Sequence, residues 1–135
     1  MASSPAPSTS DSWLLVLRIC AIAAAALALV QGVLGSMLVT GNLGTLDVHS
    51  IIGMSLSVVC LVAAIAAVVR SRRGGNKGLV GHSVGMFALT IVQIGLGEAR
   101  VETLHVLFGV IFLIGAIGLA TLAMRRPNQA VTAGA

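Results

Sequence analysis

The sequence predicts an all-α membrane protein: a four-transmembrane-helix bundle built from two parallel repeats of a helical hairpin. Three observations predict it. Hydrophobic residues occupy 57% of the 135 positions and only 9% are charged, against roughly a quarter in a soluble domain, so lipid must solvate most of the chain. Four apolar stretches each approach the ~20 residues that a spanning helix requires. A short phrase also recurs: Val30-Gln31-Gly32-Val33-Leu34-Gly35 returns as Val92-Gln93-Ile94-Gly95-Leu96-Gly97.

Residues 1–12 form a polar Ser/Pro/Ala tail, expected to be disordered and cytoplasmic. It has no basic start, and the apolar run behind it is too long for a signal-peptide core, so the first helix is read as retained. That helix is placed at about 13–39, interrupted only by Arg18 and Gln31. The second is placed at about 48–70, the third at 79–98 with His82 and Gln93, and the fourth at 102–124 with His105. The transmembrane domain thus covers 13–125, followed by a second disordered cytoplasmic tail at 126–135. The runs are continuous and rich in Ala, Leu and Val, which excludes the polar alternation of a β-barrel. Cys20 and Cys60 fall within helices and read as small packing residues.

The net charge of +4 does not point to nucleic acid. Arg70, Arg72, Arg73 and Lys77 crowd the loop between the second and third helices, and Arg125 and Arg126 follow the fourth. The other loops carry Arg100 beside Asp47, Glu98 and Glu102. The positive-inside rule puts the central loop and both termini in the cytoplasm of a cell-membrane protein. Arg18 can snorkel to that same side, and the basic loop can touch anionic lipid.

The duplication extends beyond the phrase. Each copy is followed by a histidine with glycine four residues on, His49 with Gly53 and His105 with Gly109. Repeats of the same sense are related by a pseudo-twofold axis along the membrane normal, which carries His49 onto His105 at equal depth near the outer face. Gln31 precedes His49 by 18 residues and Gln93 precedes His105 by 12, a difference assigned to a longer first outer loop around residues 40–46.

Histidine inside a membrane helix is costly and is a functional candidate by default; the bland alternative is an interfacial ring wetted by headgroup water. The matched pair points to shared ligation of a metal centre, with haem iron the leading choice. Residues four apart share a helix face, so Gly53 and Gly109 are expected to open space for a flat ligand, with Ser57, Phe108 and Phe112 extending the lining. Plain helix packing is the competing explanation for both glycines. Gln31 and Gln93 are expected to orient the imidazoles or simply to bond between helices. His82 aligns with Cys20 in the first repeat and reads as an interfacial or packing residue.

The Q-x-x-L-G phrase ending an odd helix, followed by histidine early in the next, resembles one half of haem A synthase. Small bacterial four-helix membrane proteins of unknown function look similar too. The resemblance covers about residues 13–125 at the level of architecture. It implies haem held between histidines of the second and fourth helices, here His49 and His105. Departures are plain: one half instead of two, no cysteine pair in the first outer loop, Leu46 in place of an acid three positions before His49, and Ser50 in place of arginine. Glu102 does stand three before His105, but on the other repeat. Synthase chemistry is therefore not assigned, and whether the chain is an enzyme stays open, with the balance against an enzyme by itself.

The expectation is a cytochrome b-like protein binding one haem b through His49 and His105, with Gly53, Gly109, Gln31 and Gln93 around it and Arg100 pairing with a propionate. It serves electron transfer or haem handling, with a membrane redox partner or a second copy of the chain alongside. Two rivals stay open. One is a cofactor-free accessory subunit of a membrane complex; the other is a small proton-coupled carrier using His49, Glu102 and His105.

Overall fold

A computed structural model of the chain describes residues 12–125. Four helices follow one another: α1 Ser12–Val39, α2 Leu46–Arg72, α3 Lys77–Glu98 and α4 Glu102–Met124, with a single 3-10 turn at Leu43–Thr45 leading into α2. All four are long and apolar enough to cross a membrane, and there is no strand among the described residues. In hydrocarbon every backbone donor and acceptor must be satisfied within the segment, and an uninterrupted helix does that. The second helix is longer at both ends than the sequence predicts, and α3 starts two residues earlier. Ser12, expected in the tail, opens α1; the other residues of both tails lie outside the described residues.

Each helix packs against two neighbours, in the ring α1–α2–α3–α4–α1, while α1 faces α3 and α2 faces α4 across the diagonals. The core repeats as the sequence does. Buried positions on α1 are Leu17, Ala21, Ala24 and Ala28; the shift of 62 residues that carries Gln31 onto Gln93 carries them onto Leu79, Ser83, Met86 and Thr90, the buried set of α3. Buried Leu56, Cys60, Ala63 and Ala67 of α2 likewise map onto Phe112, Ala116, Leu119 and Ala123, the buried set of α4, by the shift that carries His49 onto His105. Most of these residues are small. With lipid tails outside as apolar as the core, close van der Waals approach holds the helices together, and small side chains permit it.

Volume is exchanged between the halves. Met86 stands where the first repeat has Ala24, and its sulfur reaches 2.6 Å from where a Cβ on Gly115 would lie. His82 sits beside it, Nε2 2.8 Å from the Gly115 carbonyl and Cε1 against Gly118. The packing expectation for His82 is met by an α3–α4 contact, remote in depth from the other two histidines.

The connections differ. The α2–α3 loop turns through Gly74 at φ 89, and the Asn76 side chain caps α3 by accepting from the Gly78 N–H at 2.8 Å. The α3–α4 turn closes with Val101 N–H on the Leu96 carbonyl and Arg100 N–H on the Gly97 carbonyl, the Schellman arrangement that usually has glycine where Arg100 stands. Arg100 adopts φ 54 there. The longer first hairpin spends half of its additional residues on the turn and half on helix, since α1 runs on to Val39, further past Gln31 than α3 runs past Gln93. The end of α1 at Val39 is where the sequence placed it, so three of the six additional residues, 37–39, are helical and three lie in the turn, where Thr40 still bonds the Ser36 carbonyl.

At the end bearing the termini, Arg18 Nε donates to the Ala123 carbonyl at 2.9 Å. That carbonyl lies in the last turn of α4 and has no partner within its helix, and a cation is favourable at a helix C-terminus. One side chain thus satisfies an orphan acceptor and ties α1 to α4.

Candidate functional site: a histidine pair across the bundle diagonal

The fully buried positions stop at Ala28, Leu56, Thr90 and Phe112. Beyond them, toward the α1–α2 and α3–α4 turns, no described residue is buried. This slack half of the bundle holds both histidines and both glutamines.

His49 and His105 each occupy the fourth position of their helix and project inward from diagonal helices. Their ring centroids are 5.9 Å apart with planes inclined at 61°, so the expected depth match is met by a direct ring-to-ring approach. Both rings are half-buried. Each also rests on the last glycine of the repeated phrase: Cε1 of His49 lies 3.7 Å from a Cβ built on Gly35, and Cε1 of His105 lies 3.4 Å from one on Gly97. Gly35 and Gly97 close the repeated phrase, and the sequence by itself points to no task for them. Their identical place in both phrases was the available signal.

Gly53 and Gly109 have a different occupant from the one expected. A Cβ at Gly53 would stand 2.8 Å from Gln31 Nε2, and one at Gly109 would stand 3.0 Å from Gln93 Nε2. An amide nitrogen stands in the space beside each of these glycines. Of the two readings open for the glutamines, Gln31 takes the interhelical hydrogen bond. Gln31 Nε2 donates to the backbone carbonyl of His49 at 2.9 Å. Lying over Gly53, the amide is one helical turn from His49, and the carbonyl that points down that turn is the acceptor within reach. On the second hairpin it is the backbone of Gln93 that touches a ring: His105 Nδ1 lies 3.0 Å from the Gln93 carbonyl.

That contact fixes a tautomer. A carbonyl only accepts, so Nδ1 carries the proton and Nε2 of the neutral ring keeps its lone pair. His49 has no equivalent; its Nδ1 is buried without a partner, as are Oε1 of Gln31 and Oε1 of Gln93. Three buried polar atoms without partners around one ring pair is unusual, since such atoms are nearly always bonded in native proteins.

The remaining named residues lie apart. Arg100 is exposed in the α3–α4 turn, and Glu102 is exposed in the first turn of α4. Phe112 is packed in the core, and the Ser57 hydroxyl returns to the Met54 carbonyl of its own helix. Among the described residues no three His, Cys, Asp or Glu side chains converge as a metal-binding group.

No family model, curated protein or solved structure matches the chain.

Proposed function

We propose that the protein binds one b-type haem between α2 and α4, with His49 and His105 as axial ligands, for electron transfer or haem handling in the membrane. The observation that carries this reading is the 5.9 Å approach of two imidazoles from diagonal helices. A metal bonded to one nitrogen of each ring at about 2 Å sets the ring centroids about 6 Å apart.

The donor set fits the same reading. A bare structural ion such as zinc takes four protein ligands, and only two imidazoles converge here. Two suffice for a metal that brings four equatorial ligands of its own. His105 presents an Nε2 lone pair because its Nδ1 donates to a carbonyl, the outer contact typical of a ligating histidine. The unpartnered Oε1 atoms of Gln31 and Gln93 belong to amides seated over Gly53 and Gly109, one helical turn from the histidines.

Arg100 supports the reading from outside. Its φ of 54 belongs to the Schellman turn that ends α3. On the same side of the bundle as the rings, its guanidinium is available to a propionate. When bound, haem supplies one-electron redox chemistry with a potential set by its axial ligands and its burial. The residues of the chain position it, exclude water from the diagonal and hold the imidazole proton on Nδ1 of His105.

The basic central loop favours a cell-membrane location with both termini cytoplasmic, which puts the haem near the outer face. An accessory subunit without cofactor is the second reading, favoured by the Gln31 bond to the His49 carbonyl, which ties α1 to α2 with no ligand.

The test is the absorption spectrum of detergent-purified protein made with ample haem, oxidised and then dithionite-reduced. A Soret band with sharp reduced α and β bands is expected. Those sharp bands disappear in both His49→Ala and His105→Ala and persist in His82→Ala. A colourless wild-type protein refutes the haem reading and leaves the accessory reading standing.

A further inference from the structure

The two proposed ligands are not held alike, although the repeats that carry them are. His105 is fixed twice: Nδ1 is 3.0 Å from the Gln93 carbonyl, and the ring lies against Gly97 at 3.4 Å and 3.6 Å from the built Cβ. His49 stands farther from Gly35, at 3.7 Å, and its Nδ1 is buried with no acceptor. The glutamine of its own repeat is engaged elsewhere, donating to the His49 carbonyl. The connection in front of it is also the longer one, Thr40–Thr45. No hydrogen bond at Nδ1 fixes the tautomer of the His49 ring.

We infer that His105 is the anchoring ligand and His49 the displaceable one, so that the His49 side of the site admits a small neutral donor of the carbon monoxide or nitric oxide class. The exchange replaces one lone-pair donor by another: the bond from His49 to iron breaks, the bond from the incoming donor forms, and no electron is transferred. The ring released needs somewhere to go. On the side away from His105 the ring faces Gly35, which has no side chain and lies 3.7 Å from Cε1 at its built Cβ. The protein would therefore sense or carry a diatomic ligand in addition to passing electrons.

This inference rests on the haem reading, and two measurements keep their failures apart. The reduced protein is exposed to carbon monoxide and its difference spectrum recorded for wild type, His49→Ala and His105→Ala. Wild type is expected to bind slowly, with a shifted Soret band. His49→Ala keeps haem in five-coordinate form and binds at once, whereas His105→Ala loses its haem. Coloured wild-type protein that stays unchanged under carbon monoxide overturns the inference while leaving haem binding intact; so does equal haem retention in the two variants. A colourless protein fails the haem reading itself, and the ligand exchange with it. In the haem-free protein, the ¹⁵N resonances of the imidazoles report the asymmetry directly. A fixed Nδ1–H tautomer is expected for His105 alone, and the same fixed tautomer on His49 removes the basis of the inference.

Discussion

Glycine, glutamine and serine decide the residue-scale behaviour of this bundle. Gly53→Ala places a methyl 2.8 Å from Gln31 Nε2, too close to coexist with the amide, which must leave the His49 carbonyl. The loss expected is about 0.6 kcal/mol, typical of an interhelical hydrogen bond in a membrane protein, read as a lowered unfolding midpoint in detergent. Gly32, Gly85 and Gly95 meet nothing within 4 Å, and their alanine variants are expected to match or exceed wild type because alanine is the better helix former. Ser83 is fully buried and its hydroxyl has no partner. The first repeat has Ala21 at that place, equally buried. Ser83→Ala is therefore expected to stabilise by about 1 kcal/mol, the lower end of the cost of an unsatisfied buried group. A lower midpoint in that variant would mean the hydroxyl is bonded after all.

At the scale of elements, the connections set the strain. Arg100 occupies the left-handed region, where a Cβ costs roughly 1–2 kcal/mol, so Arg100→Gly is expected to raise stability by about 1 kcal/mol. The same variant should weaken haem retention if the guanidinium holds a propionate, so gain in fold and loss at the site are measured on one protein. Gly74 at φ 89 predicts the reverse: alanine there lowers stability by about 1 kcal/mol, read as a lower unfolding midpoint. Along α3 and α4, His82→Ala removes the contact to the Gly115 carbonyl and is expected to cost about 1 kcal/mol with no change in the haem bands. These contacts were not legible in the chain. The alignment of His82 with Cys20 marks it as unmatched, but the Met86–Gly115 and His82–Gly118 contacts depend on how two helices are rotated against each other, and composition carries no record of that.

For the whole molecule, the duplication is the organising fact, and it was legible. Matching phrases at the same offset as matching buried positions place α2 and α4 on one diagonal with their histidines level. The Arg18 bond to Ala123 closes the ring at the opposite end. Arg18→Met keeps the apolar stem, loses that bond and is expected to lower stability by about 1 kcal/mol, with the haem spectrum intact because the site lies at the far end. Orientation belongs to this scale too. The crowding of Arg70, Arg72, Arg73 and Lys77 in one loop predicts that a cysteine introduced at Asn76 is labelled only from the cytoplasmic side and one at Ala99 only from the outside; the opposite labelling refutes the assigned topology.

Four spans, their near-final lengths and their pairing into two hairpins followed from the sequence alone. A continuous apolar run in lipid has to satisfy its own backbone, and only a helix does so within one segment. The tertiary structure alone decided what meets what. A helix turns its side chains by about 100° per residue, so whether His49 and His105 face each other, and whether a glycine receives an amide or a ring, depends on rotations fixed by packing across the whole ring. The unequal anchoring of the two imidazoles arises there as well: matching phrases were folded into hairpins with different turns, and only one of them brings a backbone carbonyl within reach of its histidine ring.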